Sequence, residues 1–166
     1  MMKCIGCDNQ KELKSISLKA YKYKECGLDN VILHGINSYR CDKCGEEYID
    51  FGNIQKLNTL IASVLIKKEG LLNGKEIKFL RKHLGYSGQF FSELVKYDPS
   101  HLSRVEAEKL KPTAMFDMVI RFLVHEKLPD RNYVLQDLFI ENKLIPFLRL
   151  DLTATEQGRW KIEPAA

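Results

Sequence analysis

Four of the five cysteines in this chain form two short motifs with the same spacing, two residues between the thiols. These motifs are Cys4–Cys7 and Cys41–Cys44. A tight turn of this length points both of its thiolates in one direction, and four thiolates complete the tetrahedral shell that zinc prefers. A complete shell leaves no position for a substrate water. The spacing therefore predicts a closed, structural zinc site made by Cys4, Cys7, Cys41 and Cys44.

Two other chemistries use the same residue type. An iron–sulfur cluster needs the same four thiolates, whereas a thioredoxin-like redox pair needs only one such motif in a βαβ context. Cys26 has no partner at ligand spacing and is predicted to be a spare thiol. His34 and His83 are predicted to be ordinary polar residues, because the four cysteines already fill a metal shell.

The residues between the motifs predict the elements that bring them together. Residues 15–23 alternate apolar and polar side chains, which predicts a strand. A turn is predicted at Gly27–Asn30 and a second strand at Val31–Leu33. The pattern predicts a small antiparallel sheet clamped by metal, a zinc-ribbon domain over residues 1–50. These fifty residues contain too few apolar side chains to form a stable core, so the domain is predicted to depend on the binding energy of its metal.

Charge and hydropathy limit the classes of function. The chain has 166 residues, 45% of them hydrophobic, and a net charge of +4. Residues 67–112 hold ten Lys and Arg against six Asp and Glu, so the excess positive charge lies in this segment. No apolar run approaches the roughly 18 residues that span a bilayer, and no signal peptide is recognised. We therefore expect a cytoplasmic protein with reduced thiols and no membrane association.

Apolar spacing and capping residues predict a series of helices after the cysteine domain. A connecting helix is expected within residues 51–72, with one apolar stripe, and is predicted to end at Gly70. A helical domain follows over residues 73–128. Its helix N-caps are predicted from residue type. They are Asn73 (in a capping box with Glu76), Ser87, Asp98 (followed by Pro99 at the first helical position) and Thr113.

The segment Leu84–Ser87, with Phe91, Leu94 and Leu102–Glu106, resembles the Xre/Cro-type helix-turn-helix. The resemblance implies that the second helix enters the major groove, with Ser100 and Arg104 at base edges. It also implies a structural ion pair between Arg81 and Glu106. The complete set of DNA-binding residues predicted here is Ser87, Gln89, Pro99, Ser100, His101, Ser103, Arg104, Lys109 and Lys111.

This sequence departs from the helix-turn-helix pattern at several places. Gly88 stands where the family usually has Gln, so that base contact is lost. Ser92 and Lys96 stand where the family has a small residue and a turn glycine. Pro99 removes one backbone donor.

The order of the two halves resembles the MqsA/YgiT-type zinc-finger antitoxin family over roughly residues 3–112. The most specific parts of the match are Met2–Cys4 and Cys41–Tyr48, whereas Asp8 replaces the glycine that is usual in the first knuckle. The resemblance implies a homodimer whose zinc domain binds a toxin and whose helix-turn-helix represses its own promoter. Residues 129–166 are predicted to form a C-terminal helical extension, including a helix near Val134–Phe139, and a candidate dimerisation surface.

Together these observations predict an α+β protein, in which a small zinc-ribbon β domain precedes an all-α helix-turn-helix domain. The predicted function is a zinc-containing, sequence-specific repressor that binds a double-stranded operator, as the antitoxin of a toxin–antitoxin pair. The sequence contains no Ser/His/Asp spacing, no phosphate-binding glycine loop and no paired carboxylates. It is therefore not predicted to be an enzyme. The alternative is a zinc-stabilised protein-binding adaptor whose helix-turn-helix does not bind DNA.

Overall fold

The structure is a computed structural model that describes residues 3–7, 13–128, 149–155 and 158–163. Its architecture is mixed α+β. The elements, in chain order, are β1 (Lys14–Leu18), β2 (Tyr21–Lys22), β3 (Val31–His34), β4 (Ile36–Arg40), β5 (Glu47–Asp50), α1 (Ile54–Leu65), α2 (Gly74–His83), α3 (Gly88–Leu94), α4 (Pro99–Glu106), α5 (Ala114–Lys127), β6 (Leu150–Ala154) and β7 (Trp160–Glu163).

The chain divides into two compact units. The first, called here the sheet unit, comprises Met1–Tyr23, Asp29–Lys56 and Arg149–Ala166. The second, the helical unit, comprises Lys24–Leu28 and Leu57–Leu148. The boundaries differ from the predicted domain over residues 1–50, because the sheet unit also includes residues from the C-terminal end of the chain.

The sheet unit contains two sheets, where the sequence predicted one. The predicted strand over residues 15–23 is divided: β1 pairs antiparallel with β4 in one sheet, and β2 pairs with β3 in the other. Their partner strands β3 and β4 also lie in different sheets, and the chain passes from one sheet to the other at Gly35. Gly35 has φ +67°, and a Cβ there would lie 3.2 Å from the carbonyl oxygen of Ala154. Glycine therefore permits the bend that separates the two sheets.

A helical extension was predicted over residues 129–166, but the described part of that range, residues 149–155 and 158–163, forms two strands of the second sheet. The order of this sheet is β2-β3-β6-β7, with β6 parallel to β3 and β7 antiparallel to β6. Leu150, Asp151 and Leu152 are all buried, as expected of a strand with neighbours on both sides. The prediction failed because the partner strand, β3, lies far away in the sequence. The predicted helix near Val134–Phe139 lies outside the described residues.

The helical unit begins its helices where the capping residues predicted them, so all four predicted N-caps are confirmed. The Asn73 side chain accepts a hydrogen bond from the Glu76 amide at 2.9 Å, and the Glu76 carboxylate accepts one from the Asn73 amide at 2.7 Å. Ser87, Asp98 and Thr113 accept from the amides of Phe90, His101 and Phe116. In the described part of the chain, no helix combines the length and apolar character needed to cross a membrane.

The connecting helix α1 ends at Leu65 and does not reach Gly70 as predicted. The buried guanidinium of Arg121, on α5, donates hydrogen bonds to three carbonyls that follow α1. These carbonyls belong to Ile66 at 2.8 Å, Lys68 at 2.9 Å and Gly70 at 2.7 Å. A side chain thus satisfies three backbone carbonyls of the segment that follows α1. A cation from a distant helix therefore holds the segment after α1 in place.

Two contacts fix α4 against α2. Arg81 and Glu106 form the ion pair that the resemblance implied, with Nη2 to Oε2 at 2.9 Å and both side chains about nine-tenths buried. Gly74, at the start of α2, lies so close to the Val105 carbonyl that a Cβ would overlap it. The outward face of α4 is therefore held in one orientation within the helical unit.

Candidate metal centre and nucleic-acid interface

The four predicted metal ligands lie together in the sheet unit. The Sγ atoms of Cys4, Cys7, Cys41 and Cys44 all lie within 4.8 Å of one another. The distances include Cys4–Cys44 at 3.5 Å, Cys4–Cys7 at 3.6 Å and Cys7–Cys41 at 3.7 Å. All five cysteines are free thiols, so no disulfide joins these sulfurs.

The spacing of the sulfurs fits a single ion. Four thiolates placed tetrahedrally at 2.3 Å from one centre are about 3.8 Å apart, close to the shorter Sγ–Sγ distances in this cluster. A dithiol redox site would use one Cys-x-x-Cys motif alone, whereas here both motifs face each other. The group of four cysteines can therefore hold a metal ion.

The backbone of a hairpin positions the second knuckle. Cys41 follows the last residue of β4, and its amide donates to the carbonyl of Glu46 at 2.9 Å. The Gly45 amide donates back to the Cys41 carbonyl at 2.8 Å, and Gly45 has φ +76°. Arg40 and Glu47 pair directly after the turn, in the register of β4 and β5. The second knuckle is therefore a tight turn closed by its own hydrogen bonds.

A side chain from β5 contacts the first knuckle. The hydroxyl oxygen of Tyr48 accepts hydrogen bonds from the amides of Ile5 at 3.0 Å and Gly6 at 3.2 Å. It donates to Glu46 Oε2 at 2.9 Å and lies 3.4 Å from the Sγ of Cys4. Tyr48 belongs to the motif that carried the family resemblance, but the sequence did not indicate this contact.

The same contact alters two acid–base equilibria. The hydrogen bond with Tyr48 lowers the pKa of the Cys4 thiol below its ordinary value. The hydrogen bond with Cys4 is the main cause that raises the pKa of Tyr48 to about 12. Cys4 is thus favoured as the thiolate, which is the form that binds metal, while the phenol keeps its proton near neutrality.

The predicted DNA-binding residues lie in the helical unit. Pro99, Ser100, His101, Ser103 and Arg104 lie on α4, and all except the half-buried His101 are exposed. The buried residues of that helix are Leu102 and Val105. Exposed Ser87 and Gln89 lie at the start of α3, and exposed Lys109 and Lys111 follow α4.

The structure brings part of this set together in one cleft. Gln89, Pro99 and Ser103 line a cavity of about 370 Å³ between α3 and α4. The carboxylates of Glu93 and Glu106 line it as well. The charge of Glu106 is neutralised by its ion pair with Arg81. The carboxylate of Glu93 would therefore be the acidic group of this cavity that repels an anion such as phosphate.

Some residues of the predicted set already have partners within the chain. Ser87 is occupied as an N-cap, and the Gln89 amide donates to Glu93 at 3.2 Å. The ring of His101 packs edge-on against Tyr97 at 4.8 Å between centroids. Ser100 and Arg104, which the resemblance implied as base contacts, lie one helical turn apart and are both exposed.

No protein-family model, curated protein or solved structure matches this chain.

Proposed function

We propose that this protein is a zinc-containing, sequence-specific DNA-binding repressor that acts as a homodimer on a double-stranded operator. The observation that carries the proposal is the outward face of α4. Ser100 and Arg104 are exposed there on a short helix whose opposite side, Leu102 and Val105, is buried. A helix presented in this way after a short turn can insert its N-terminal residues into a major groove.

Zinc is the metal we propose for the cysteine cluster. The four sulfurs supply all four ligands of a tetrahedral ion, and the Sγ–Sγ distances of 3.5–3.7 Å suit zinc–thiolate bonds. When bound, the ion would act as a crosslink between the two knuckles. Because the shell is complete, it would have no position for catalysis.

The packing around α4 supports base recognition. A bidentate contact to guanine requires an arginine whose backbone is fixed relative to the groove. The Arg81–Glu106 ion pair and the close approach of Gly74 to Val105 hold α4 on α2. Arg104 projects from this fixed helix and is the residue we expect to distinguish bases.

The experiment is a selection of genomic DNA fragments by the full-length protein, followed by affinity measurements on the enriched sequence. Arg104→Ala is expected to cost about 1–3 kcal/mol of specific binding and to relax the preference at one base pair. Arg159→Ala, which removes an exposed arginine of the sheet unit, is the matched control and should leave the preference unchanged. If no sequence is enriched even at low salt, the repressor proposal is wrong.

The antitoxin role is part of the same proposal and has its own test. An antitoxin gene lies beside the gene of its toxin, so a small neighbouring protein should stop growth when expressed alone. Co-expression of this chain should then restore growth through direct binding. A neighbouring protein that does not affect growth would remove the antitoxin role and leave the repressor.

A second candidate function is a zinc-stabilised adaptor that binds proteins. It is favoured by large apolar side chains exposed on the helical unit, such as Phe90 at 50% and Met115 at 65% exposure. Such side chains are common at sites that bind other proteins. Binding of a protein partner that is unaffected by Arg104→Ala, together with no DNA preference, would favour the adaptor.

A further inference from the structure

The two cysteine knuckles differ in what holds them. The second knuckle is closed by its own backbone, through the hydrogen bonds of Cys41 with Glu46 and of Gly45 with Cys41. The amides of the first knuckle, at Ile5 and Gly6, instead donate to the side chain of Tyr48. Two amides of the first knuckle thus donate to a residue of β5, more than forty positions away in the sequence.

The Tyr48 hydroxyl uses its full hydrogen-bonding capacity at this point. A phenol oxygen has two lone pairs and one proton. Two knuckle amides donate to this oxygen, and its one proton is shared between two acceptors, Glu46 Oε2 at 2.9 Å and the sulfur of Cys4. The same oxygen lies 3.4 Å from the Sγ of Cys4. One atom therefore contacts the knuckle backbone, a ligand sulfur and a carboxylate.

The position of Glu46 explains a residue of the first knuckle. Its carboxylate lies over Gly6, where a Cβ would overlap Oε2 and approach Cδ to 2.8 Å. Gly6 is not one of the glycines with a positive φ, so its backbone conformation would accept alanine. A larger residue at position 6 would displace the Glu46 carboxylate, which is an acceptor of the Tyr48 proton.

We propose that Tyr48 and Glu46 are positioning residues that hold the first knuckle in place to bind metal. The inference rests on the proposed metal site and deepens it. Without the hydroxyl, two amides of the first knuckle lose their acceptor, and Cys4 and Cys7 must be ordered at the moment of binding. The metal affinity then falls, because ordering the ligands consumes part of the binding energy.

The test measures metal affinity of the full-length protein by competition with a chelator, using zinc, and cobalt(II) as a spectroscopic probe. Tyr48→Phe removes only the hydroxyl and is expected to weaken zinc binding about 10- to 100-fold, as for other residues that orient metal ligands. Gly6→Ala, which displaces the Glu46 carboxylate and leaves Tyr48 intact, should weaken it as well. Glu46→Gln keeps an acceptor and should bind more tightly than Glu46→Ala.

Two matched controls separate positioning from general effects on the fold. Tyr39→Phe removes a hydroxyl from the residue directly opposite Tyr48 in the β4–β5 register. Gly88→Ala adds a Cβ where no atom lies within 4 Å. Both controls should retain the zinc affinity of the natural sequence. In every variant the cobalt spectrum should still report four thiolates, which shows that the ligands are unchanged and only the affinity has moved.

The outcomes distinguish the inference from the proposed metal site. If the natural sequence binds neither zinc nor cobalt, the metal site itself is wrong. If it binds both, and Tyr48→Phe and Gly6→Ala bind zinc as tightly as the two controls, the positioning role of Tyr48 and Glu46 is overturned.

Discussion

The sheet unit and the helical unit hold short elements together by different means. In the helical unit each helix from α2 to α5 begins at a capping residue three positions from the amide that it satisfies. In the sheet unit β3 pairs with β6, and His34 bonds to Asp151 across 117 positions of sequence. The comparison shows that local chemistry sets where the helices of one unit begin, whereas distant pairing and a thiolate cluster organise the other.

The largest expected effect comes from metal removal, which should unfold part of the sheet unit and leave the helical unit folded. Structural zinc contributes about 10–16 kcal/mol to small zinc-finger modules at neutral pH. A strong chelator should therefore open the sheet of β1, β4 and β5, while helices α2 to α5 stay folded. Hydrogen exchange of the full chain, before and after chelation, measures both units in one sample.

Zinc added in excess of the chelator should restore slow exchange in β4 and β5. Slow exchange in these strands without any metal would contradict the idea that the sheet unit depends on its cysteine cluster.

Arg121→Met should produce the next largest effect, in the helical unit alone. The guanidinium is fully buried, bonds to Asp117 at 2.7 Å and binds the three carbonyls after α1. Its loss leaves a buried carboxylate without its cation, which costs about 3–5 kcal/mol. Urea unfolding followed by circular dichroism gives the change in unfolding free energy.

Two further variants sharpen this measurement. Arg159→Met, at an exposed arginine of the sheet unit, should leave helix unfolding unchanged. Adding Asp117→Leu to Arg121→Met should recover part of the loss, because no unpaired charge stays buried. Equal effects of Arg121→Met and Arg159→Met would show that the buried network does not hold α1 and α5 together.

Lys96→Gly should stabilise the helical unit slightly. Lys96 lies in the turn between α3 and α4 with φ +54°, where a side chain is strained and glycine is not. The expected gain is about 1 kcal/mol or less, since glycine also has more freedom to lose on folding. Thermal unfolding measures it, with Lys78→Gly as the matched control.

Lys78 is exposed in the interior of α2, so glycine should cost about 1 kcal/mol there. Opposite signs at the two lysines are the expected result, and a loss of stability at both positions would argue against strain at Lys96.

The smallest effect is a difference in pH dependence between the two units. Both ring nitrogens of His34 face acceptors, Lys19 O and Asp151 Oδ1, each at 2.8 Å. The ring satisfies both only as the cation, and these hydrogen bonds, first that of Asp151, raise the pKa of His34 above 6.5. Arg149 beside Asp151 opposes the shift, while Arg149 and then His34 lower the pKa of Asp151 and keep it ionised. Stability from His34 is present below pH 6.5 and is lost as the pH rises through the raised pKa.

His83, in the helical unit, should give the opposite slope. Burial, and then the charge of Lys127, lower the pKa of His83 below 6.5. Its neutral form is favoured in the folded state, so stability is lost as the pH falls from 6.5 through the lowered pKa. Hydrogen exchange of each unit, measured from a pH below the lowered pKa of His83 to a pH above the raised pKa of His34, gives both slopes. His34→Gln should flatten only the slope of the sheet unit, and an unchanged slope would show that His34 does not titrate as its contacts require.

The success of prediction follows the distance over which each interaction acts. The capping residues and the four-cysteine cluster were correctly predicted, because each follows from a few adjacent residues or from repeated spacing. The Arg81–Glu106 pair was implied by the resemblance. Tyr48, Arg121 and β6 were missed, because their partners lie in parts of the chain that no local pattern connects.

The sequence by itself determined the ligand set of the cysteine cluster and the N-terminal boundaries of α2 to α5. Thiolate spacing and side-chain caps act over three or four residues, so the local sequence carries the information. Only the tertiary structure decided that β6 and β7 join the sheet of β2 and β3, that the Arg121 side chain binds the carbonyls after α1, and that Tyr48 contacts the first knuckle. Those contacts depend on which distant segments meet, and burial and hydrogen-bond satisfaction select them after the chain has folded.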